Sequence, residues 1–518
     1  VERQDFGMST SAASSKLLHG GIRYLQKLQV NKVRESARER TYFQIIAPHI
    51  TSNIPFMVPT EKSSFMKGKL AMVAGMSMYR LICSGLNQLI TDPSKRIPFG
   101  KLHSKEELLK HIPLLSRLDT INGAHTLYET HMYNSERMTL AFLKTAAANG
   151  GVVANHTEVI DLLYNGQRVE GANCRDTLSG KVFSVHADIV VNAAGPFLPS
   201  INRQIHNLNL HKDTTGFSKG VHLVTRQLEP KYALALSSNK KTEGLVTRGG
   251  RHIFIIPWRD RSLIGTTNVP FDNDLDKVCV TRKDVDDFLQ DINAIIPSLG
   301  LTRDDVHYAF AGLYPLISDE IKKDTYQGTG EYQVVDHARG DNVEGIMSVL
   351  GAKYTTAREI AQQATDLAYT KLQCPPVRCS TMTNPLLEGQ IHHLSEFENE
   401  KINEYQSILD AETIRELIRN HGSNLDLVIN YCKSTAGYLD KVCESRMTLV
   451  GEIGYAVDHE MACTLSDVVF SRTGLGTIGN PGDAVLRNVA SIMAKKLNWE
   501  QSLIDKELDS ITKHFSYN

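Results

Sequence analysis

Three short strings of this sequence place chemically able side chains at spacings that could do work. Lys219-Gly220-Val221-His222-Leu223-Val224 sets an imidazole inside an apolar strand. Histidine titrates near neutral pH, so His222 suits a proton acceptor for a substrate hydroxyl; a lone strand histidine suits a structural place as well. Gly351-Ala352-Lys353-Tyr354-Thr355-Thr356-Ala357-Arg358 reads as a strand end, a turn and a helix start. Amides at a helix N-terminus favour negative charge, and Thr355 and Thr356 are good cap residues. Capping leaves Lys353 unexplained. The third string is Val1 to Leu25, where Glu2 closes an expected strand. An acidic residue in that place of a dinucleotide fold hydrogen-bonds ribose hydroxyls. A loop carrying Ser9, Thr10, Ser14 and Ser15 follows, small enough to let a ligand approach the backbone. His19-Gly20-Gly21 then breaks the chain ahead of an amphipathic helix that carries Arg23.

The run Lys16-Leu17-Leu18-His19-Gly20-Gly21-Ile22-Arg23-Tyr24-Leu25 resembles the FAD-dependent glycerol-3-phosphate dehydrogenase family, whose pattern here is K-L-[IL]-H-G-G-[IL]-R-Y-L. The other two strings are similar to that family's K-G-x-H and G-[GA]-K-x-T-T-x-R, and Ile264-Gly265-Thr266-Thr267 to its I-G-T-T-[DN]. The resemblance covers most of residues 1–378 and, more loosely, the C-terminal part. It implies an α/β fold: a Rossmann-like FAD-binding domain, an interleaved β-rich substrate (cap) domain and a helical C-terminal domain. It also implies FAD as cofactor and oxidation of sn-glycerol 3-phosphate to dihydroxyacetone phosphate, with hydride passing to flavin N5 and electrons on to quinone. The catalytic set implied is His222 as base with Lys353 and Arg23. Arg23, Tyr24, Lys219, Thr267, Tyr314 and Lys353 are implied at the substrate. Glu2, Ser9, Thr10, Ser14, Ser15, Lys16, Leu18, His19, Gly20, Val159, Ala194, Gly195, Gly351, Thr355 and Thr356 are implied at the cofactor.

Two positions depart from the family. Gly312-Leu313-Tyr314-Pro315-Leu316 stands where G-[LV]-R-P-L is usual, and Thr329-Gly330-Glu331 where a second arginine is usual. A dianionic phosphate calls for cationic, preferably forked donors. Arg23, Lys353 and either Lys219 or Arg248 are left to supply them. Tyr314 and Gly330 therefore support a second reading, the same flavin fold acting on another hydroxylated or amine substrate. A third reading is a non-catalytic flavoprotein-like module. In such folds a strand and a G-x-G-x-x-G turn precede the acidic residue, so roughly 30 to 40 residues of a βαβ unit are expected upstream of Val1. The chain is expected to be a fragment of a longer one.

Composition sets the bounds. Apolar residues make up 41% and charged residues 22% of 518, which suits two or three globular domains. With 57 basic and 58 acidic residues the net charge is −1, which gives no general attraction to nucleic acid. Eight scattered cysteines form no C-x-x-C, so no metal site is expected, and free thiols suit a reducing cytoplasm. No apolar run reaches the ~20 residues of a membrane span. The basic, Met-rich stretch around Lys62, Lys67 and Lys69 reads either as a membrane-surface helix or, more favoured by sequence, as a core helix with a solvated end. The resemblance implies peripheral contact with a quinone-bearing membrane, at the cytoplasmic face of an inner membrane, and it allows a homodimer.

Periodicity places the elements around these strings. Strands are expected at Val1–Glu2, Ile54–Val58, Val152–Ala154, Thr157–Leu163, Val169–Cys174, Val182–Val185, Asp188–Ala193, Phe217–Thr225, Leu234–Leu236, His252–Pro257, Ser262–Thr267, Val306–Leu316 and Gly345–Leu350. Helices are expected over residues 26–50 with one buried stripe, then at Asn134–Asn149, Asp284–Ala294, Thr356–Leu372 and in five C-terminal segments from Ile408 to Leu497. The domains expected are 1–50, 134–200 and 330–378 for FAD, 51–133 and 201–329 for the cap, and 388–518 for the helical part.

Overall fold

The computed structural model describes residues 1–61, 68–206, 216–237, 252–272, 274–316, 332–351 and 353–517. A Ser/Thr-rich loop runs into β1 (Leu17–Leu18), then α1 (Val30–Ile46), β2 (Thr51–Glu61), α2 (Lys69–Ile82), β3 (Leu102–Ser104), α3 (Lys105–His111) and β4 (Ile121–Met132). α4 (Ser135–Ala148) leads to β5 (Thr157–Asn165), β6 (Arg168–Asp176), β7 (Val182–His186), β8 (Val190–Asn192) and α5 (Leu198–Asn202). Next come β9 (Gly216–Arg226), β10 (Ala233–Ser237), β11 (His252–Trp258), β12 (Arg261–Gly265), β13 (Val269–Phe271), α6 (Arg282–Ile295) and β14 (Val306–Leu316). β15 (Gln333–Asp336), α7 (His337–Gly340), β16 (Ile346–Leu350) and α8 (Ala357–Lys371) precede α9 (Leu394–Tyr405), α10 (Ala411–His421), α11 (Leu425–Lys433), α12 (Val450–Glu460), α13 (Asp483–Leu497) and α14 (Gln501–His514).

A ten-stranded mixed sheet dominates, in the order β1-β4-β2-β10-β11-β12-β9-β13, with β14 also on β9 and β3 on β4. Both of its faces are covered. Val221 and Leu223 of β9 join one apolar cluster with Phe288 and Ile292 of α6, while Val224 joins another with Phe56, Ile256 and Trp258. That is the period-2 alternation of a strand buried on both sides. α6 forms because Thr281 and Asp284 close a capping box and Val285, Phe288, Leu289 and Ile292 repeat at helical spacing. Burying each of those side chains contributes about 1.5–3 kcal/mol.

Two smaller sheets complete the β structure: β15-β16-β8, in which β16 and β8 are parallel, and the meander β5-β6-β7. β8 and β16 each run straight into a helical turn, at Gly195–Phe197 and Tyr354–Thr356. The last six helices pack in two apolar clusters. Buried charge ties them to the front of the chain. Arg137 of α4 pairs with Glu460 at 2.7 Å and Glu388 at 3.1 Å, Lys144 with the same two carboxylates, and Asp5 with Arg472. Of the acid–histidine clusters among the described residues, Glu388–His421–Glu460 has arginine and lysine on both acids, and Asp5–His156–Asp467 has Arg472 on Asp5.

Several expectations need correction. Val1–Glu2 and Val152–Ala154 are not regular strands; Glu2 N–H donates to Ala154 O, Thr157 N–H to Glu2 O and His156 N–H to Gln4 O, a short irregular ladder. α1 has no single buried stripe, since Ser36, Glu39, Arg40, Thr41 and Gln44 are buried beside its apolar residues. Ion pairing makes that tolerable: Glu39 takes Arg358 and Arg40 takes Glu129. The core-helix reading of the Met-rich stretch fails, because α2 buries none of its residues; Lys62 and Lys67 lie outside the described residues. β4, α9 and α14 lacked a sequence signal altogether.

Candidate active site

The segment from Thr10 to Tyr24 threads between the other strings of chemically able residues and touches each in turn. Thr10 Oγ1 donates to Leu313 O (2.7 Å) at β14, Ser15 Oγ lies 2.8 Å from His222 Nε2, and His19 N–H donates to Thr355 Oγ1 (3.0 Å). Tyr24 lies under the Lys353 ammonium, 4.3 Å from the ring centroid. Residues 200 to 340 positions apart in sequence therefore meet along fifteen residues of backbone.

His222 is buried, stacked on Phe310 of β14 with ring centroids 5.1 Å apart. Gly265 is required beside it, because a Cβ there would fall 2.0 Å from His222 Cδ2. Nδ1 is sealed without a hydrogen-bond partner among the described residues, so Nε2 is the nitrogen at which a proton can be exchanged. Burial, with the Lys16 ammonium adding to it, lowers the imidazole to about 3. The ring is neutral, the form that accepts a proton. Tyr314 shares this face of the sheet, since Phe310, Gly312 and Tyr314 pair with His222, Gly220 and Ser218. Its hydroxyl hydrogen-bonds Asn268 Oδ1.

Lys353 sits mostly buried, 3.2 Å from Ser36 Oγ of α1. Burial pushes its ammonium down to about 8, with Glu35 opposing and Lys32 adding to the fall. Arg23 is exposed, with its guanidinium 5.8 Å from the Phe254 ring. Beneath the His19–Gly20 backbone lies Glu129 of β4, a residue without any sequence signal. It accepts from Gly20 N–H at 2.7 Å and Arg40 Nη1 at 2.9 Å, with His19 Nδ1 at 3.8 Å. Burial opposes its ionisation, but His19, Arg40 and the Gly20 amide hold its carboxyl below the usual range.

Some expected residues are elsewhere. Lys219 points away from His222: three positions apart on a strand means opposite faces, and its ammonium pairs with Asp284 at the start of α6 (2.7 Å). Thr267 Oγ1 accepts from Val221 N–H at 2.8 Å, which spends it on the sheet. Lys16 is fully buried, its Nζ 2.8 Å from Glu136 and 3.0 Å from Ser135 Oγ; burial pulls it down while Glu136 resists. Its backbone is used too, with Met132 N–H on its carbonyl and its own N–H on Ser14 Oγ. Thr355 and Thr356 do not cap α8: Thr355 serves His19, and Thr356 Oγ1 lies 3.4 Å from Lys353 O. Ala352, Arg248 and Gly330 lie outside the described residues.

The remaining cofactor candidates line up at the carboxyl ends of the parallel pair. Ala194, Gly195 and Gly351 are exposed there, and Gly195 has φ 54°. Ligands of open α/β sheets bind outside the carboxyl ends of the strands. No side chain caps the first turn of α8, and its first amide, Ala357 N–H, bonds Tyr354 O of the preceding turn; the positive end of the helix faces this edge, which favours an anion. Small exposed backbone beside that helix end fits a flavin nucleotide. Glu2, its backbone on Ala154 and Thr157, and Val159 in β5 stand at the meander side. The chain's one G-x-G-x-x-G string, Gly474 to Gly479, is not a phosphate loop. It is buried, follows a π-helical turn rather than a strand, and packs on Arg259, Phe470 and His307.

Two family models match this chain: FAD dependent oxidoreductase over residues 1–358, and the C-terminal domain of alpha-glycerophosphate oxidase over residues 379–503. The chain is 31% identical to glycerol-3-phosphate dehydrogenase of Mycobacterium leprae over 513 residues, covering 98% of this chain and 82% of that one. It is 28% identical to aerobic glycerol-3-phosphate dehydrogenase of Staphylococcus haemolyticus, covering 97% and 87%. Its fold is similar to the crystal structure of glycerol-3-phosphate dehydrogenase from Bacillus halodurans complexed with FAD, with a TM-score of 0.75, 25% identity and coverage of 99% and 88%.

Proposed function

The chain belongs to the FAD-dependent glycerol-3-phosphate dehydrogenases, and we propose from that membership and its site that it oxidises sn-glycerol 3-phosphate to dihydroxyacetone phosphate. The protein is an FAD-dependent oxidoreductase. FAD supplies the two-electron acceptor for the substrate's C–H hydride. The carboxyl ends of β8 and β16, the uncapped first turn of α8, and the backbone of residues 9–20 would hold it.

The protein's own residues divide the rest of the work. His222 takes the hydroxyl proton at Nε2, the nitrogen that Ser15 contacts. Its neutrality before substrate arrives is a product of burial and of Lys16, and a dianionic substrate alongside counters both. Lys353 and Arg23 supply cationic charge for the phosphate, with Tyr24 under the Lys353 ammonium. Tyr314, on the same face as His222, stands where the family has an arginine, so the anion is held with fewer forked donors. The observation that carries this reading is the convergence of His222, Thr355 and Lys353 on the segment from Ser15 to Tyr24. Glycerol 3-phosphate added without oxygen to the FAD-loaded protein should bleach the oxidised-flavin absorbance; flavin that stays yellow would move the substrate to another hydroxylated or amine compound.

Residues 1–50, 134–200 and 330–378 make up the cofactor unit in this reading, 51–133 and 201–329 the cap, and 388–518 the helical domain. Quinone is the proposed electron acceptor, reached at a membrane surface. No helix among the described residues is long and apolar enough to cross a membrane. Over residues 68–104, however, Leu70, Val73, Met78, Leu81, Leu89, Phe99 and Leu102 are exposed, Leu70 and Leu81 by 88% and 74%. Lys69, Arg80, Arg96 and Lys101 accompany them, and the single acid, Asp92, is buried. Cations beside exposed apolar side chains suit an anionic lipid surface. Co-sedimentation with anionic vesicles should be lost in Leu70→Ser/Leu81→Ser; equal binding by both proteins would remove this surface.

A further inference from the structure

No residue of α2 is fully buried, yet the ring of Tyr79 is inserted far enough that its hydroxyl reaches the centre of the site. Tyr79 Oη donates to Gly20 O at 3.1 Å. The N–H of the same residue is held from the opposite side by Glu129 Oε2 at 2.7 Å, and Arg40 Nη1 joins that carboxylate at 2.9 Å. The approach is close enough to exclude any side chain at Gly20: a Cβ there would lie 2.0 Å from Tyr79 Oη and 2.6 Å from Arg40 Nη1. The Gly20 residue is therefore gripped at both of its backbone polar groups, and its neighbour His19 is gripped by Thr355.

We propose that Tyr79 is a positioning residue that fixes the Gly20–Gly21 peptide and so completes the grip on Gly20, and that the surface helix α2 sets the site through it. The role rests on the reading of residues 9–20 as the place where cofactor and substrate meet. Burial raises the Tyr79 hydroxyl well above the usual tyrosine range, with Arg40 opposing, so it remains a donor throughout the working pH range. The end of α2 is also tied to α1. Arg34 donates to Ile82 O at 2.6 Å and to Ser84 O at 2.7 Å, just past the same end of the helix. Displacing α2 acts on Gly20 through Tyr79. Glu129 holds the His19–Gly20 peptide by its N–H and Tyr79 holds the Gly20–Gly21 peptide by its carbonyl, so both peptide planes that flank the Gly20 Cα are fixed.

The test is Tyr79→Phe, which keeps the ring and removes the single hydroxyl. Hydrogen exchange is read on the cofactor-free chain, so that its outcome does not depend on FAD or on the substrate. Exchange in the peptide spanning Leu17 to Leu25 should quicken by roughly 3- to 10-fold, the range set by one lost hydrogen bond, with exchange in α6 and β9 unchanged. With the FAD-loaded protein, the limiting rate of flavin reduction should fall while the glycerol 3-phosphate KM stays within about twofold. Unchanged exchange in Leu17–Leu25 overturns the proposal. So does a quickening spread equally over α6 and β9, which marks general loosening. Inactivity of the unsubstituted protein toward glycerol 3-phosphate would instead overturn the substrate reading and leave the exchange result standing.

Discussion

Replacing Lys353 by methionine isolates the charge that the proposed substrate phosphate meets. Methionine keeps much of the length and the apolar stem, so packing against Tyr24 and α1 is retained while the ammonium is lost. Its hydrogen bond to Ser36 is neutral on the acceptor side and readily exchanged for a phosphate oxygen. A hydrogen bond between charged groups contributes about 1.5–3 kcal/mol, so the dissociation constant for glycerol 3-phosphate should rise by about 10- to 160-fold. A second signature comes from pH. Burial lowers Lys353 to about 8, so the unsubstituted protein loses this charge just above neutrality. Phosphate monoesters are already dianionic there, with a second pKa of about 6. The dissociation constant should be flat near pH 7, about doubled at pH 8, and climb from there to a plateau about 10- to 160-fold up, where the ammonium is gone. In Lys353→Met that climb should vanish. Anaerobic stopped-flow bleaching of the flavin between pH 6.5 and 9.5 yields both the dissociation constant and the limiting rate. A variant constant within twofold of the unsubstituted protein, or a flat profile through pH 9 before substitution, refutes the assignment of Lys353 to the anion.

His222→Asn should lower the limiting rate of flavin reduction by ~10²–10⁴ with FAD still bound, as loss of a general base does; near-normal reduction removes it as the base. Lys16→Met should cost about 3–5 kcal/mol in denaturant unfolding, because Glu136 is left charged and buried, and Lys16→Met/Glu136→Gln should recover much of it. A double variant no better than the single one would show that the pair's partners, not the pair, carry the loss. His131, buried in β4, is lowered to about 3 by burial and by Lys16. In the unfolded chain it binds a proton below about 6.5, but in the fold only near 3. Stability should therefore fall from pH 6.5 towards 3, by up to about 1.4 kcal/mol per unit for this residue. His131→Asn should flatten the urea-unfolding profile between pH 6.5 and 5; an unchanged slope places the acid sensitivity elsewhere.

Much of this architecture was legible in the residues themselves. Apolar alternation marked β5, β6, β9, β11 and β14, and helical spacing or stop signals marked α4, α6, α8 and α13. Those signals are local: a strand or helix that buries one face writes its period into the chain. Elements without such a face were invisible. β4 reads INGAHTLYETHM because it is buried on both sides among charged partners, so no alternation survives. α9 and α14 bury two residues and one, too few to show a stripe. α2 shows the opposite failure, an apolar period that the fold leaves on the surface.

The candidate site divides in the same way. Its donors and their motifs stand in the sequence: His222, Lys353, and the run from Lys16 to Leu25. Period alone also tells that Lys219 and His222 face opposite sides of β9. What the sequence could not hold is which partner each group meets, because a hydrogen bond between residues 207 positions apart leaves no local trace. Only the tertiary structure sealed Nδ1 of His222, buried Lys16 against Glu136, and spent Thr267 on the sheet. It alone brought Glu129 and Tyr79 to the two sides of Gly20. Chemistry of a side chain is written by its type; its protonation, its partner and its freedom to act are set by burial and neighbours, and those belong to the fold.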